Sequence, residues 1–102
     1  MNKSNGDDIN FNQDFYDALG ELKLVYFDGL SKYPENNWKE RKMAAHYQLF
    51  CDHLKAALKL GIRADIEDNK LSEDANKQED INLELSHALC RFMMFYQQRL
   101  EM

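Results

Sequence analysis

Apolar residues recur at helical spacing along most of this chain. Phe11, Phe15, Ala18, Leu19, Leu22, Val25, Tyr26 and Leu30 follow one another at steps that keep them on one side of a helix, which predicts a first helix from about Asn12 to Ser31. Asn10 or Asn12 can cap it and Asp14 sits in its first turn. Pro34 stops it, because the residue before a proline is pushed out of the helical region. Met43, Tyr47, Phe50, Leu54, Ala57 and Leu58 form the stripe of a second helix, from about Glu40 to Leu60, closed by Gly61. A third runs from about Gln78 to Leu100. Its apolar residues, among them Ile81, Leu85, Leu89, Phe92, Met93 and Tyr96, cover most of its circumference, so it is expected to be buried on more than one side. Residues 62–78 hold few large apolar side chains beyond Ile62, Ile66 and Leu71 and read as a long polar loop with room for one short helical turn. Residues 1–10 read as a polar tail. No strand alternation and no internal repeat is visible. The expected fold is all-α: one domain over 1–102, with three main helices in a bundle and a long acidic loop. Three helices can hardly cover the third one, so completion by oligomerisation is expected.

Charge changes this picture in one respect. The 102 residues carry a net charge of −5, which argues against non-specific nucleic-acid binding and against anionic membranes. Yet residues 38–60 hold five basic and two acidic residues, a local +3, inside an acidic protein. A small anion such as a nucleotide can use that contrast. Cys51 and Cys90 fall inside predicted helices with no CxxC or zinc spacing, and are expected to be reduced thiols in a cytoplasmic protein. The amino-terminal residues lack an apolar signal core, and no stretch approaches the roughly 20 apolar residues that span a bilayer.

Several groups of residues have chemistry to offer. Glu84, His87 and Arg91 are spaced i, i+3, i+7 and share one stripe of the third helix. Glu-x-x-His is a spacing used by di-metal helical bundles. It equally makes an acid/base pair, with Arg91 gripping phosphate, or a surface ion pair beside a structural histidine. On the second helix His46 and His53 lie seven apart at the edge of the apolar stripe, where a histidine usually serves as a hydrogen-bonding group. Asp14, Asp17, Glu21 and Asp28 cluster on the first helix, a pattern that suits magnesium or simply a wet face. The run Lys32-Tyr33-Pro34-Glu35-Asn36-Asn37-Trp38 combines a cation for phosphate, an amide able to read a base edge, and two aromatic rings able to stack on a base. Its bland alternative is an interhelix turn whose rings cap the core.

In order along the chain stand Gly29-Leu30-Ser31-Lys32-Tyr33, Asn37-Trp38, Asp52-His53-Leu54, the acidic Asp65, Glu67 and Asp68, and His87-Ala88-Leu89. In this the chain resembles a small phage family, the dATP/dGTP diphosphohydrolases of N-terminal type, an all-α group akin to the MazG-like nucleotide pyrophosphohydrolases. The resemblance covers about residues 19–96. It implies a phage or prophage protein that binds purine deoxynucleoside triphosphates and releases pyrophosphate with Mg2+. It further implies Glu84, His87 and His53 as catalytic groups, Lys32, Tyr33, Asn37, Trp38 and Arg91 as substrate contacts, and Glu84, His87 and Asp65 as metal ligands. The chain departs from the family at Asp52, where arginine is usual, and at Glu84, where a second histidine is frequent. It shows no clear Glu-x-x-Glu followed by Glu-x-x-Asp. Two alternatives follow: an inactive relative that sequesters a nucleotide, such as a signal of host defence, or a plain helical interaction module.

Overall fold

The computed structural model describes residues 5–34 and 36–102, so the first four residues of the expected polar tail lie outside the described residues. The architecture is all-helical among those residues: α1 Asn5–Asp14, α2 Tyr16–Lys32, α3 Asn37–Glu40, α4 Met43–Lys59, α5 Ile62–Asp68 and α6 Ala75–Leu100. The single first helix expected from the apolar pattern is two. Phe15 leaves the helical region (φ −114°, ψ 25°) and separates α1 from α2. Helix α1 begins at Asn5, so the later part of the expected tail is helical. Beyond the break, Leu19, Leu22, Val25, Tyr26 and Leu30 are the half-buried side of α2, as their spacing requires. Tyr33 is extended (φ −132°, ψ 153°) ahead of Pro34 and ends the helix.

Asn36 adopts a left-handed conformation at φ 63°, which asparagine tolerates better than most residues, and turns the chain into the four-residue α3. Lys42 is extended, and α4 follows. It closes at Gly61, whose φ of 100° is open to glycine and strained for any side chain. The loop expected over 62–78 is shorter than that at both ends, and the short helical turn it allowed is the seven-residue α5. Ile62–Asp68 is helical, and Ala75–Gln78 is the first turn of α6, whose amino end is capped by Asp74 accepting from the Lys77 N–H at 3.1 Å. Only residues 69–74 remain irregular, and the buried Asp65 ties them down. Its carboxylate accepts from the Ser72 N–H at 3.2 Å and from Gln78 Nε2 at 3.0 Å.

Helices α4 and α6 lie along each other over most of their lengths, and α2 packs on α6. The wholly buried residues at these seams are mostly small: Ala57, Ser86, Ala88 and Cys90, with Ile81 the largest apolar one. Small residues let helix backbones approach, but they leave a thin core. Larger rings fill its margins, with Phe50 on Phe92 (centroids 5.0 Å apart) and Tyr47 on Phe95 (5.3 Å). Both cysteines are free thiols, and burial pushes the Cys90 thiol up. No described helix is long and apolar enough to cross a membrane.

Candidate functional site

The break at Pro34 and the left-handed Asn36 fold the polar-aromatic run back against α6. A cavity of about 190 Å³ results, between the end of α2, α3 and the middle of α6. Lys32, Tyr33, Asn37 and Trp38 line one side, His87 and Arg91 the other, and Arg41 and Met94 close the end. Two segments some fifty residues apart in sequence, each singled out for its chemistry, therefore share one cavity. Among the described lining residues Lys32, Arg41 and Arg91 are cationic and Asp28 is the one carboxylate, held by Lys32 Nζ at 3.0 Å. That pair is exposed, and Asp28 raises the Lys32 ammonium above its ordinary value.

Arg91 is the unusual member. It is half-buried, and burial lowers its pKa, although a guanidinium stays charged in a protein. Among the described residues no carboxylate pairs with it. It donates from Nη1 to His46 Nδ1 at 3.2 Å and to the Met94 sulfur at 3.8 Å, both neutral partners. The buried His46 in turn donates from Nε2 to the Trp38 carbonyl at 2.7 Å. This fixes the tautomer, because a guanidinium only donates and Nδ1 must accept. Burial lowers the His46 pKa and the Arg91 and Arg41 charges lower it further, against the opposing pull of the Trp38 carbonyl. Gln98 Nε2 donates to the Trp38 carbonyl (3.3 Å) and to the Arg41 carbonyl (2.9 Å). So α3, too short to be stable alone, is anchored to α4 through His46 and to α6 through Gln98. The Trp38 indole Nε1 is buried without a hydrogen-bond partner among the described residues.

The stripe Glu84–His87–Arg91 is divided. His87 and Arg91 face the cavity; Glu84 is not among its lining residues. Its carboxylate accepts from His53 Nδ1 on α4 at 2.7 Å, with both side chains about one-quarter exposed (26% and 28%). His87 Nδ1 donates to the Leu83 carbonyl at 2.9 Å, and the His53 and His87 rings stand 5.0 Å apart. Asp65, expected with Glu84 and His87 in a metal set, is occupied at the 69–74 turn. No group of three or more His, Cys, Asp or Glu side chains among the described residues could hold an ion. On α2, Asp17 and Glu21 border a separate open groove with Glu79 and Asp80.

His46 takes the hydrogen-bonding role that its place at the edge of the α4 stripe suggested, whereas Arg41 and Gln98 were missed as parts of this site. A signal existed for Gln98, which lies seven after Arg91 on the same stripe. Nothing local marked Arg41. No protein-family model, curated protein or solved structure matches the chain.

Proposed function

We propose that the protein binds a purine nucleotide in the cavity between α2, α3 and α6. The observation that carries this reading is Arg91, a half-buried cation whose partners among the described residues are all neutral, at the wall of a cavity. Burying a charge is costly unless an anion arrives to pair with it, and a guanidinium grips phosphate oxygens in a fixed fork. Lys32 and Arg41 add cationic character, and Trp38 and Tyr33 offer faces for a base beside the Asn37 amide. The cavity is smaller than the roughly 300–1,000 Å³ of sites that enclose drug-sized ligands, so it takes one end of a nucleotide and leaves the rest at the surface.

The resemblance supports hydrolysis of a purine deoxynucleoside triphosphate to its monophosphate and pyrophosphate as the activity that follows binding. One observation favours capture without turnover instead: the sequence shows no clear Glu-x-x-Glu followed by Glu-x-x-Asp, the magnesium signature of the MazG-like enzymes. Incubation with a panel of dNTPs and NTPs, with and without Mg2+ or Mn2+, separates the two when products and retained ligand are resolved by chromatography. A nucleotide should be retained or turned over, and Arg91→Gln should weaken its binding. Failure of every nucleotide to bind, or binding indifferent to Arg91→Gln, would overturn the assignment.

We infer self-association as well. The chain exposes 8220 Å², where about 6,000 Å² is usual for a 12.1 kDa monomer, an excess near the share each partner buries in an obligate dimer. Its radius of gyration, 15.7 Å, also exceeds the roughly 13 Å expected at this length. Tyr47, Leu54 and Leu58 on α4 and Leu89, Phe92, Met93 and Tyr96 on α6 are exposed at helical spacing and continue the Tyr47–Phe95 and Phe50–Phe92 contacts. This face suits a second copy of the chain.

A further inference from the structure

His53 and His87 face each other across the α4–α6 seam, and neither is needed for the anion contacts described above. Each ring has its Nδ1 engaged by an oxygen: His53 by the Glu84 carboxylate at 2.7 Å, His87 by the Leu83 carbonyl at 2.9 Å. Both oxygens accept, so both rings carry their proton on Nδ1 and, when neutral, a lone pair on Nε2. Neither Nε2 has a hydrogen-bond partner among the described residues. Two imidazoles with Nδ1–H held by a carboxylate and a carbonyl are set up as metal-binding histidines are, by outer groups that fix the tautomer and orient the free nitrogen.

The ring separation meets the same demand. A zinc–imidazole bond of about 2.0–2.1 Å puts a ring centre about 3.2 Å from the ion, so two ligating rings lie about 4.5 Å apart at a right angle and about 5.2 Å apart at a tetrahedral one. The observed centroids are 5.0 Å apart, between these two values. We propose that His53 and His87 bind one divalent ion of the zinc, cobalt or nickel class through their Nε2 atoms, with Glu84 and the Leu83 carbonyl as outer groups. Imidazole nitrogen suits these ions, whereas magnesium demands oxygen ligands. The roles expected from the sequence are thereby reassigned: His53 becomes a ligand and Glu84 its support. Water fills the remaining positions, and because His87 also lines the cavity, an oxygen of a ligand seated there can replace one of these waters.

The test needs no nucleotide and so stands apart from the nucleotide assignment. Zinc is titrated into 15N-labelled protein in chelator-free buffer at pH 7.5, and the ring nitrogens of the three histidines are followed by long-range 1H–15N spectra. His53 Nε2 and His87 Nε2 should shift together, saturating at one ion per chain, while His46 and a parallel magnesium titration show no change. In calorimetry, His53→Gln and His87→Gln should each abolish zinc binding, and Glu84→Gln should weaken it about 10–100-fold. Absence of binding, a shift at only one of the two rings, or unchanged affinity in either histidine variant would overturn the proposal. The spectra of the unsubstituted protein decide even if a variant fails to fold.

Discussion

Acidification should destabilise this protein through His46. The ring is wholly buried and serves two neighbours at once, donating to the Trp38 carbonyl at 2.7 Å and accepting from Arg91 at 3.2 Å. A second proton would sit on Nδ1, break the Arg91 bond and place two cations in contact. The groups that face the ring are the Trp38 carbonyl from α3, Arg41 from the following turn and Arg91 from α6, and the folded pKa falls below the ordinary 6.5. The unfolded chain therefore binds more protons than the folded one in the window between the lowered value and 6.5. His46's contribution is fully present above 6.5 and is lost as pH falls through that window. One proton sets the steepest slope, about 1.4 kcal/mol per pH unit. For about 100 residues each kcal/mol lost lowers Tm by roughly 4–8 °C. Urea unfolding at half-unit steps from pH 7.5 to 5.0, on the unsubstituted protein and on His46→Gln, measures this directly. Glutamine can donate to Trp38 and accept from Arg91 but does not titrate. His46→Gln should be the less stable at pH 7.5, by about 1–3 kcal/mol. The gap should close as pH drops below 6.5. Parallel stability curves for the two proteins would refute the reasoning.

Trp38→Phe and Asn37→Ala should each weaken nucleotide binding by about 1–3 kcal/mol, measured by calorimetry on folded protein; lower stability with unchanged affinity would return both residues to a core-capping role. Light scattering at micromolar concentration should report a dimer, and Phe92→Glu or Tyr96→Glu should give monomers that retain their helical circular dichroism. Gly61→Ala should cost about 1–2 kcal/mol in urea unfolding, because φ is +100° there and the new Cβ would also meet the Lys77 side-chain amine at 2.8 Å. Gly20→Ala, in the middle of α2 with open space around it, should instead gain about 0.5–1 kcal/mol.

The three long helices were legible because their periodicity is local: the half-buried positions of α2 and the stripes of α4 and α6 are written into residue spacing. The break at Phe15 was not legible, since an apolar residue in register gives no sign that its backbone leaves the helix. A short helical turn was legible in the segment of α5, but not its place or length. Its Ile62 and Ile66 are too few to show a period, and its stabilising contacts come from Ser72 and Gln78. The two walls of the cavity were legible as chemistry, because Pro34 releases a polar-aromatic run and polar residues align on an apolar helix. Spacing along one helix groups Glu84 with His87 and Arg91 but cannot say which way each turns. Residues three apart differ by about 60° around a helix, enough for His87 to face the cavity while Glu84 turns to α4. Only the fold itself brings His53 to that carboxylate.

Trp38 is the sole tryptophan of the chain, and its carbonyl receives His46 from α4 and Gln98 from α6. A four-residue helix does not nucleate by itself, so α3 settles only after α4 and α6 have come into register. The indole is thus a built-in optical gauge: its fluorescence reports when the cavity wall closes, as distinct from circular dichroism, which reports the long helices. In a stopped-flow refolding experiment the tryptophan signal should lag the helical one, and the interval between them is the time the chain spends helical but without a binding site.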